Sequence, residues 1–255
     1  MSLVSTDAVV LHAFSYLESS RILRLATRDL GVVSVLAKGA RRASRRFGTA
    51  VDLFAEGQAH LYVKPGRELH TLASFDVLRS RPALGEDLGR FTASAAVAEL
   101  MLRFAREESQ PALYEILLGA LDRIAEARPA AARAAGLAGA WHLVGELGFA
   151  PALSECASCH IPVALDRAAT FSHPAGGTLC DDCARLAGAS RRVPAPARAA
   201  LNGWLRGGAG DDGIDGPSGR AHQRLLREFL REHLTDGRPL RAFEAWEGSQ
   251  WTGDG

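Results

Sequence analysis

The chain is poor in several residue types, and each shortage excludes a class of protein. Among its 255 residues there are only four cysteines and two methionines, and 7% are aromatic. No charged-then-apolar leader is present, so secretion is not expected. The longest low-charge region, 134–153, contains His142 and Glu146 and would make a poor membrane span. Charge of neither sign dominates, since the formal net charge is +1, so partners must be inferred from where the charges lie.

Motifs of several enzyme classes are also missing. The sequence has no GxxxxGK[ST] phosphate loop, no HExxH zinc helix and no GxSxG nucleophile elbow. The acidic segment that starts at Asp211 has Gly213 and His222 where a calcium loop needs oxygen ligands. ATP-driven remodelling, metalloprotease chemistry and serine-hydrolase chemistry are therefore not expected. We predict a protein that is not an enzyme.

The first eighty residues have the pattern of short strands joined by tight turns, with runs rich in Val, Ile and Leu. The predicted strands are 7–14, 20–27, 31–38, 58–64 and 68–75. In the second strand Ile22 and Arg24 share one face, while Arg21, Leu23 and Leu25 share the other. Five strands without an intervening helix favour an oligonucleotide-binding (OB) barrel, with an SH3-like barrel as the alternative.

After Pro82 the chain changes to Ala- and Leu-rich segments of helical period. Three helices are expected before Pro151, followed by one at 196–205 and a last one at 220–234. Glu99 and Arg103 are expected to pair on the outside of the first helix. The predicted core positions of the helices are Phe91, Ala95, Ala98, Leu102, Leu113, Leu117, Ala120, Ile124, Leu137, Trp141, Val144, Leu226, Phe229 and Leu230.

The four cysteines lie in one short region, as two CxxC pairs separated by twenty residues. They are Cys156, Cys159, Cys180 and Cys183. Two such turns can place four thiolates around one tetrahedral ion, so the spacing predicts a Zn²⁺ site. Four sulfur ligands leave no open coordination position, which makes the predicted zinc structural. A redox-active dithiol pair is the alternative, and His160 or His173 could replace one cysteine as a ligand.

The stretch VLAKGARRASRRF at 35–47 concentrates positive charge, with five cations in nine residues and no carboxylate. The cations are Lys38, Arg41, Arg42, Arg45 and Arg46. A solvated loop is one reading. However, the run follows a predicted strand, which places it at a barrel rim, and arginine suits phosphate oxygens and base stacking. We therefore predict that these five residues bind DNA. Phe14, Phe47 and Tyr62 are candidate stacking partners, although each is expected to be a core residue.

Four segments of the chain resemble a known family. TDAVVLH at 6–12, ESSRILRL at 18–25, GVVSVLAKGARR at 31–42 and the paired CxxC turns are similar to the bacterial recombination mediator RecO. The resemblance implies an OB-fold N-terminal domain, a helical middle domain and, in many members, a four-cysteine zinc module. It also implies a non-enzymatic mediator that binds single- and double-stranded DNA and anneals complementary strands. The matching motif assigns Lys38, Arg41 and Arg42 to DNA binding, and Arg45 and Arg46 are added from charge alone.

The resemblance also implies protein partners. With RecR, family members help to load RecA onto DNA coated by single-stranded DNA-binding protein (SSB), and some receive the acidic C-terminal tail of SSB. RecF is a further candidate partner. We expect a protein of the cytoplasm, associated with the nucleoid and not with a membrane. The alternatives are a protein-interaction adaptor and an RNA- or transcription-associated protein with an OB barrel and a zinc ribbon.

The predicted fold class is α+β multidomain: an N-terminal OB-fold β-barrel and a central α-helical bundle with an inserted four-cysteine zinc module. The expected parts are an OB domain at 1–80, a helical domain at 81–152, a zinc module at 153–190, C-terminal helices at 191–247 and a frayed tail at 248–255.

Overall fold

The computed structural model describes residues 2–40, 52–188, 190–209, 214, 216–234 and 238–248. The strands are β1 (Ser2–Tyr16), β2 (Ser20–Thr27), β3 (Gly31–Ala37), β4 (Glu56–Val63), β5 (Leu69–Arg79), β6 (Ala169–Ser172), β7 (Gly177–Leu179) and β8 (Arg191–Val193). The helices are α1 (Ala83–Glu86), α2 (Leu88–Phe104), α3 (Pro111–Glu126), α4 (Ala132–Val144), α5 (Asp181–Leu186), α6 (Ala195–Leu205), α7 (Gly216–His233) and α8 (Arg241–Gly248).

The first five strands form a closed barrel in the order β1-β2-β3-β5-β4. The pair β3–β5 is parallel, and the other four pairs are antiparallel. Alternate residues such as Leu23, Leu25 and Val35 point inward and are fully buried, as expected where side chains alternate between the two faces of a strand. The bounds of β2 agree with the prediction, whereas β1 starts five residues earlier and β5 ends four residues later.

The helices cover only part of the barrel's outer face. Val9, Ala26 and Val32 point outward from β1, β2 and β3 and are buried in the same core as the helices. Further along two of these strands, Phe14 and Leu36 lie outside that core and are exposed or half-buried. One end of the outer sheet surface is therefore packed against protein, and the other end is open to solvent.

Two features fix the barrel against the helices. Arg81 is buried at the junction and donates to Glu56 of β4, to Asp122 of α3 and to the carbonyl oxygen of Phe54. Gly31 has a φ of 69°, and a Cβ there would lie 2.1 Å from the carbonyl oxygen of the loop residue Arg106. The turn before β3 therefore requires glycine both for its backbone conformation and for the close approach of the loop after α2.

The helical part is built around α4, which has no exposed stripe. Twelve of its thirteen residues are buried, so the helix is enclosed on all sides. Its small residues allow close packing: a Cβ on Gly139 would lie 2.5 Å from the Ala120 Cβ of α3, and one on Gly136 would lie 2.9 Å from the Ala93 Cβ of α2. Trp141 packs against Phe229 of α7, with the ring centroids 5.4 Å apart.

The predicted core positions of α3, α4 and α7 are confirmed, because every one of them is buried. The predicted face of α2 is wrong in part. Phe91 is 38% exposed and Ala95 is only half-buried, whereas neighbouring positions such as Ala93 and Val97 are fully buried. Because α2 packs against α3, α4, α8 and the barrel, its buried surface is wider than a single stripe.

The predicted pairing of Glu99 with Arg103 is also wrong. The Glu99 carboxylate accepts hydrogen bonds from the backbone N–H groups of Ala242 and Phe243, at the start of α8. Arg103 donates instead to the carbonyl oxygen of Pro239. The last predicted helix is α7, so α8 was missed. The predicted tail begins at Gly248, the last residue of α8, and its other residues lie outside the described part of the chain.

Among the described residues, no helix is both long enough and apolar enough to span a bilayer.

Candidate metal centre and nucleic-acid surface

The first CxxC pair lies in a tight turn that its backbone stabilises. The N–H of Cys156 donates to the carbonyl oxygen of Ile161, and the N–H of His160 donates back to the carbonyl oxygen of Cys156. His160 adopts a φ of 62°, which closes the turn. The N–H of Ala157 donates to Thr178 of β7, so this turn is attached directly to the strand that leads to the second pair.

The second CxxC pair begins a helix. β7 ends at Leu179, Cys180 is the N-cap of α5, and the N–H of Cys183 donates to the Cys180 sulfur over 3.5 Å. The N–H groups at a helix N-terminus favour negative charge, so this position suits a thiolate.

The two turns bring all four cysteine sulfurs within 4.8 Å of one another. A tetrahedral zinc with sulfur at about 2.3 Å requires sulfur–sulfur distances of about 3.8 Å, and the sulfurs of Cys159 and Cys180 are 3.8 Å apart. A disulfide requires about 2.05 Å, and all four cysteines are free. The cluster could therefore bind one metal ion, and its donor set fits zinc.

The thiols do not all ionise readily by themselves. Burial opposes ionisation of Cys156, but backbone groups at Cys180, Cys159 and Ser158 lower its pKa to about 6. By contrast, hydrogen bonds with the sulfurs of Cys180, Cys159 and Cys156 raise the pKa of Cys183 to about 12. Because crowded like charges disfavour one another, four thiolates at these positions require a cation among them.

The two nearby histidines do not belong to the cluster of potential ligands. His160 is exposed and lies 3.9 Å from the Glu155 carboxylate. The Nε2 of His173 is 3.0 Å from the Glu228 carboxylate of α7. The geometry therefore does not support the alternative that His160 or His173 takes the place of one cysteine as a metal ligand.

A buried arginine attaches the cysteine region to the helices. Arg198 of α6 is almost fully buried and donates to the carbonyl oxygens of Leu153, Ala164 and Arg167. These carbonyls belong to the segment that carries the first CxxC turn. The arginine thus supplies donors to a loop whose carbonyl groups would otherwise be buried without partners. This residue was not predicted, because a lone arginine in a sequence does not reveal its acceptors.

Of the five predicted DNA-binding cations, the structure describes Lys38. β3 ends at Ala37, and Lys38 is exposed in the turn that follows, where the barrel rim was expected. Arg41, Arg42, Arg45 and Arg46 lie outside the described residues, as does Phe47.

The expectation that Phe14 and Tyr62 are core residues is wrong. Phe14 is 50% exposed and Tyr62 is 37% exposed, and both point outward from the barrel. The ring of Phe14 stacks on His12, with centroids 4.2 Å apart and planes inclined by 32°. Burial and the neighbouring Arg24 guanidinium lower the pKa of His12, so its ring is neutral near pH 7. These exposed rings supply flat apolar surface on the barrel.

His12, Leu36 and Arg24 were missed as surface residues beside these rings. The sequence held a signal for Arg24 alone, which is that Arg24 shares one face of β2 with Ile22. That face is the outer one, because Leu23 and Leu25 on the opposite face fill the barrel interior.

Together, these features define a class of protein: a closed β-barrel joined to a helical body, with a candidate metal module and an exposed lysine in the turn after one barrel strand. Two family models match the chain, "Recombination protein O N terminal" at residues 1–81 and "Recombination protein O C terminal" at 85–242. The chain therefore belongs to the recombination protein O (RecO) family of DNA repair proteins.

Curated relatives agree with this assignment. The chain is 38% identical over 251 residues to the DNA repair protein RecO of Anaeromyxobacter dehalogenans strain 2CP-C, covering 95% of each chain. It is 36% identical over 250 residues to the protein of the same name from Anaeromyxobacter sp. strain K, again covering 95% of each. To the RecO protein of Gloeobacter violaceus it is 37% identical over 168 residues, covering 65% of this chain and 63% of that one.

Proposed function

We propose that this chain is a non-enzymatic recombination mediator that binds single- and double-stranded DNA and anneals complementary strands. The observation that supports the proposal is that Lys38, the first of the five cations in the run 38–46, is exposed in the turn directly after β3. We interpret the barrel as an OB fold and assign DNA binding to residues 1–80. In this proposal residues 81–152 form the helical domain, and the C-terminal helices at 191–247 pack on it.

The mechanism follows from charge. DNA strands repel one another through their phosphates, and cationic side chains that neutralise both strands lower this repulsion. Lys38, Arg41, Arg42, Arg45 and Arg46 would hold the backbones and leave the bases free to search for pairing. Contacts with phosphates carry no sequence information, so binding should be nearly blind to sequence.

The four cysteines support a structural role for the metal in this function. Cys156, Cys159, Cys180 and Cys183 would complete the coordination sphere of a zinc ion and leave no position for a substrate. We propose that the zinc stabilises residues 153–190 and takes no part in DNA chemistry.

One cluster superficially resembles a hydrolase site. The Oγ of Ser5 is 2.7 Å from the Nδ1 of His60, and the His60 Nε2 is 3.3 Å from the Asp76 carboxylate. All three side chains stand on the outer face of β1, β4 and β5, and the contacts between them are exposed. Hydrolysis also needs donors for an oxyanion in a site that excludes water. The exposed position of this cluster therefore favours a surface hydrogen-bond network over a catalytic triad.

Family membership suggests protein partners beyond DNA. We propose that RecR and the acidic C-terminal tail of SSB bind this chain, that RecF is a further partner, and that the complex helps to load RecA onto SSB-coated DNA in the cytoplasm. An adaptor that binds only proteins is the competing function. Its affinity for partners should survive the loss of the basic run, and it should not bind DNA at modest salt.

The test is fluorescence anisotropy with mixed-sequence single-stranded DNA, titrated at several salt concentrations. If five cations each meet one phosphate, log K should fall with log salt with a slope of about −3.5. Arg41→Ala combined with Arg42→Ala should weaken binding for all sequences alike and flatten the slope by about 1.4. Arg185→Ala with Arg192→Ala, two arginines outside the barrel, provides a charge-matched control that should leave the slope close to that of the parent.

Unchanged affinity in the Arg41 and Arg42 variant would remove these residues from the DNA site. If the parent chain fails to bind at low salt, the mediator function is refuted and the adaptor is favoured.

A further inference from the structure

The pairing of the barrel strands places five outward side chains in one row across the sheet. Phe14 of β1 is opposite Ile22 of β2, Ile22 is opposite Leu36 of β3, Leu36 is opposite Thr71 of β5, and Thr71 is opposite Tyr62 of β4. Directly paired residues share one face of a sheet. We name these five residues the outer row. With strands about 4.8 Å apart, the row is about 19 Å long.

The outer row is open to solvent, with an aromatic ring at each end. Phe14 and Tyr62 are exposed, and the three residues between them are half-buried. The open surface begins where the helical layer ends, since the outward residues Val9 and Ala26 of the same strands are covered. The row therefore joins two exposed rings through side chains that are half-buried, whereas a scattered exposed apolar residue has no such neighbours.

The charges beside the row are positive. The neighbouring outward positions include His12 stacked on Phe14, and Arg24 paired with His12 across β1 and β2. Lys38 follows β3 two residues after Leu36. Neither β2 nor β3 contains an Asp or a Glu. The carboxylates of the other three strands, Asp7, Glu56 and Asp76, are at least five residues along their strands from Phe14, Tyr62 and Thr71. The exposed rings and the cations beside them are therefore complementary to a polyanion that carries flat apolar groups.

Single-stranded nucleic acid has both properties, because its phosphates are anionic and its unpaired bases can stack on side chains. In a duplex the bases are already stacked on one another, so only the phosphates are available to this face. Aliphatic side chains between two rings also give a surface on which bases can lie without hydrogen-bonded readout, which predicts little sequence preference.

We infer that the outer row is a stacking platform for unpaired bases, with a single strand crossing the barrel from Tyr62 to Phe14 and passing the turn at Lys38 where it crosses β3. The inference rests on the proposed DNA-binding function. It goes further, because it assigns the preference for single strands to the outer row and the binding of duplex DNA to the basic run.

The experiment compares affinities of the full chain for oligo-dT of about 16 nucleotides and for a duplex of equal length, at one fixed salt concentration. Phe14→Ala and Tyr62→Ala should each weaken binding of oligo-dT about tenfold. Duplex affinity should stay within about twofold, because phosphate contacts are retained. Phe149→Ala removes a comparably exposed ring from the turn after α4 and should change neither affinity.

Two further variants distinguish stacking from general apolar contact. Phe14→Trp keeps a flat ring and should bind oligo-dT about as tightly as the parent does. Phe14→Leu keeps apolar area without a ring, and its affinity for oligo-dT should be as low as that of Phe14→Ala. Phe14→Trp and Phe14→Leu both keep a large side chain, so the stacking role can still be tested with them if Phe14→Ala does not fold.

Equal losses for oligo-dT and duplex, or full binding by Phe14→Leu, would overturn the stacking role. The same holds if the ring variants bind DNA normally but lose a protein partner, since the row would then be a protein-docking surface. In these cases the parent still binds DNA and the proposed function survives. If the parent binds no DNA, both proposals fail.

Discussion

Replacing Arg81 by Leu should destabilise the chain through the junction between barrel and helices. The Arg81 side chain is 2% exposed and contacts Glu56 at 2.7 Å, Asp122 at 2.6 Å and the carbonyl oxygen of Phe54 at 2.9 Å. Leucine would leave two mostly buried carboxylates and one carbonyl without this partner. Breaking a buried pair costs about 3–5 kcal/mol, and we expect the lower end because both carboxylates keep some access to water.

The same carboxylate supplies a matched control. Arg79 contacts Asp122 at 2.7 Å but is 51% exposed, so its ion pair is screened by solvent. Arg79→Leu should cost less than about 1 kcal/mol. For a chain of this length, each 1 kcal/mol lowers Tm by about 2–4 °C. Arg81→Leu should therefore lower Tm by about 6–12 °C, and Arg79→Leu by no more than about 4 °C.

The assay is thermal unfolding followed by circular dichroism, with limited proteolysis at the junction as a second readout. Arg81→Lys keeps the charge but not the planar fork, so its Tm should fall between those of the parent and Arg81→Leu. Equal Tm shifts for the Arg79 and Arg81 variants would show that burial of Arg81 contributes nothing, and the reasoning would be refuted.

Two further predictions concern the cysteine module and pH. Chelation of the metal, or Cys156→Ser, should unfold residues 153–186 while the barrel stays folded, because a structural zinc contributes about 10 kcal/mol or more to small modules. The measurements are hydrogen exchange and thermal unfolding. If both match those of the untreated parent, the prediction is contradicted. Burial lowers the pKa of His222 to about 4, below the unfolded value of about 6.5. The unfolded chain then binds more protons between these values, so the free energy of unfolding should fall by up to about 3 kcal/mol as pH drops from about 6.5 to 4. His222→Phe, which can keep the ring contact with Trp204, should reduce the change of the free energy of unfolding with pH. Urea titrations at several pH values measure this change, and the same pH dependence in the variant and the parent would contradict the prediction.

Local sequence patterns predicted the barrel well because they determine strands directly. β2 alternates Leu23 and Leu25 with outward residues and is bounded by turns, so its limits could be read from the sequence. The CxxC spacing likewise predicted that the four cysteines meet, since each short turn presents two sulfurs to the same point.

Contacts between distant segments could not be predicted in this way. Glu99 caps α8 about 140 residues further along the chain, and Arg198 binds carbonyl groups of a loop more than 30 residues before it. Such partners are chosen by tertiary packing, which overrides the local expectation of an i,i+4 pair. α8 was missed because only Phe243 and Trp246 of its eight residues are buried, too few to define a helical period.

The exposure of two aromatic rings also could not be predicted from the local sequence. Phe14 and Tyr62 belong to strands whose other face fills the barrel, and an aromatic residue in such a strand is usually buried. Which outward-facing residues of the barrel are exposed depends on how much of the barrel the helices pack against, and that is determined by the whole fold.

The enclosed helix α4 has a consequence for folding kinetics. A helix buried on every side gains little from forming alone, because its Ala and Gly residues offer small surfaces until α2, α3, α6 and α7 surround it. Its formation and the docking of its neighbours should therefore occur in one cooperative step. The chain segments on both sides of the cysteine module have to be present for that step, so during synthesis the helical body should wait for α7 to be made, whereas the barrel at the N-terminus can fold first.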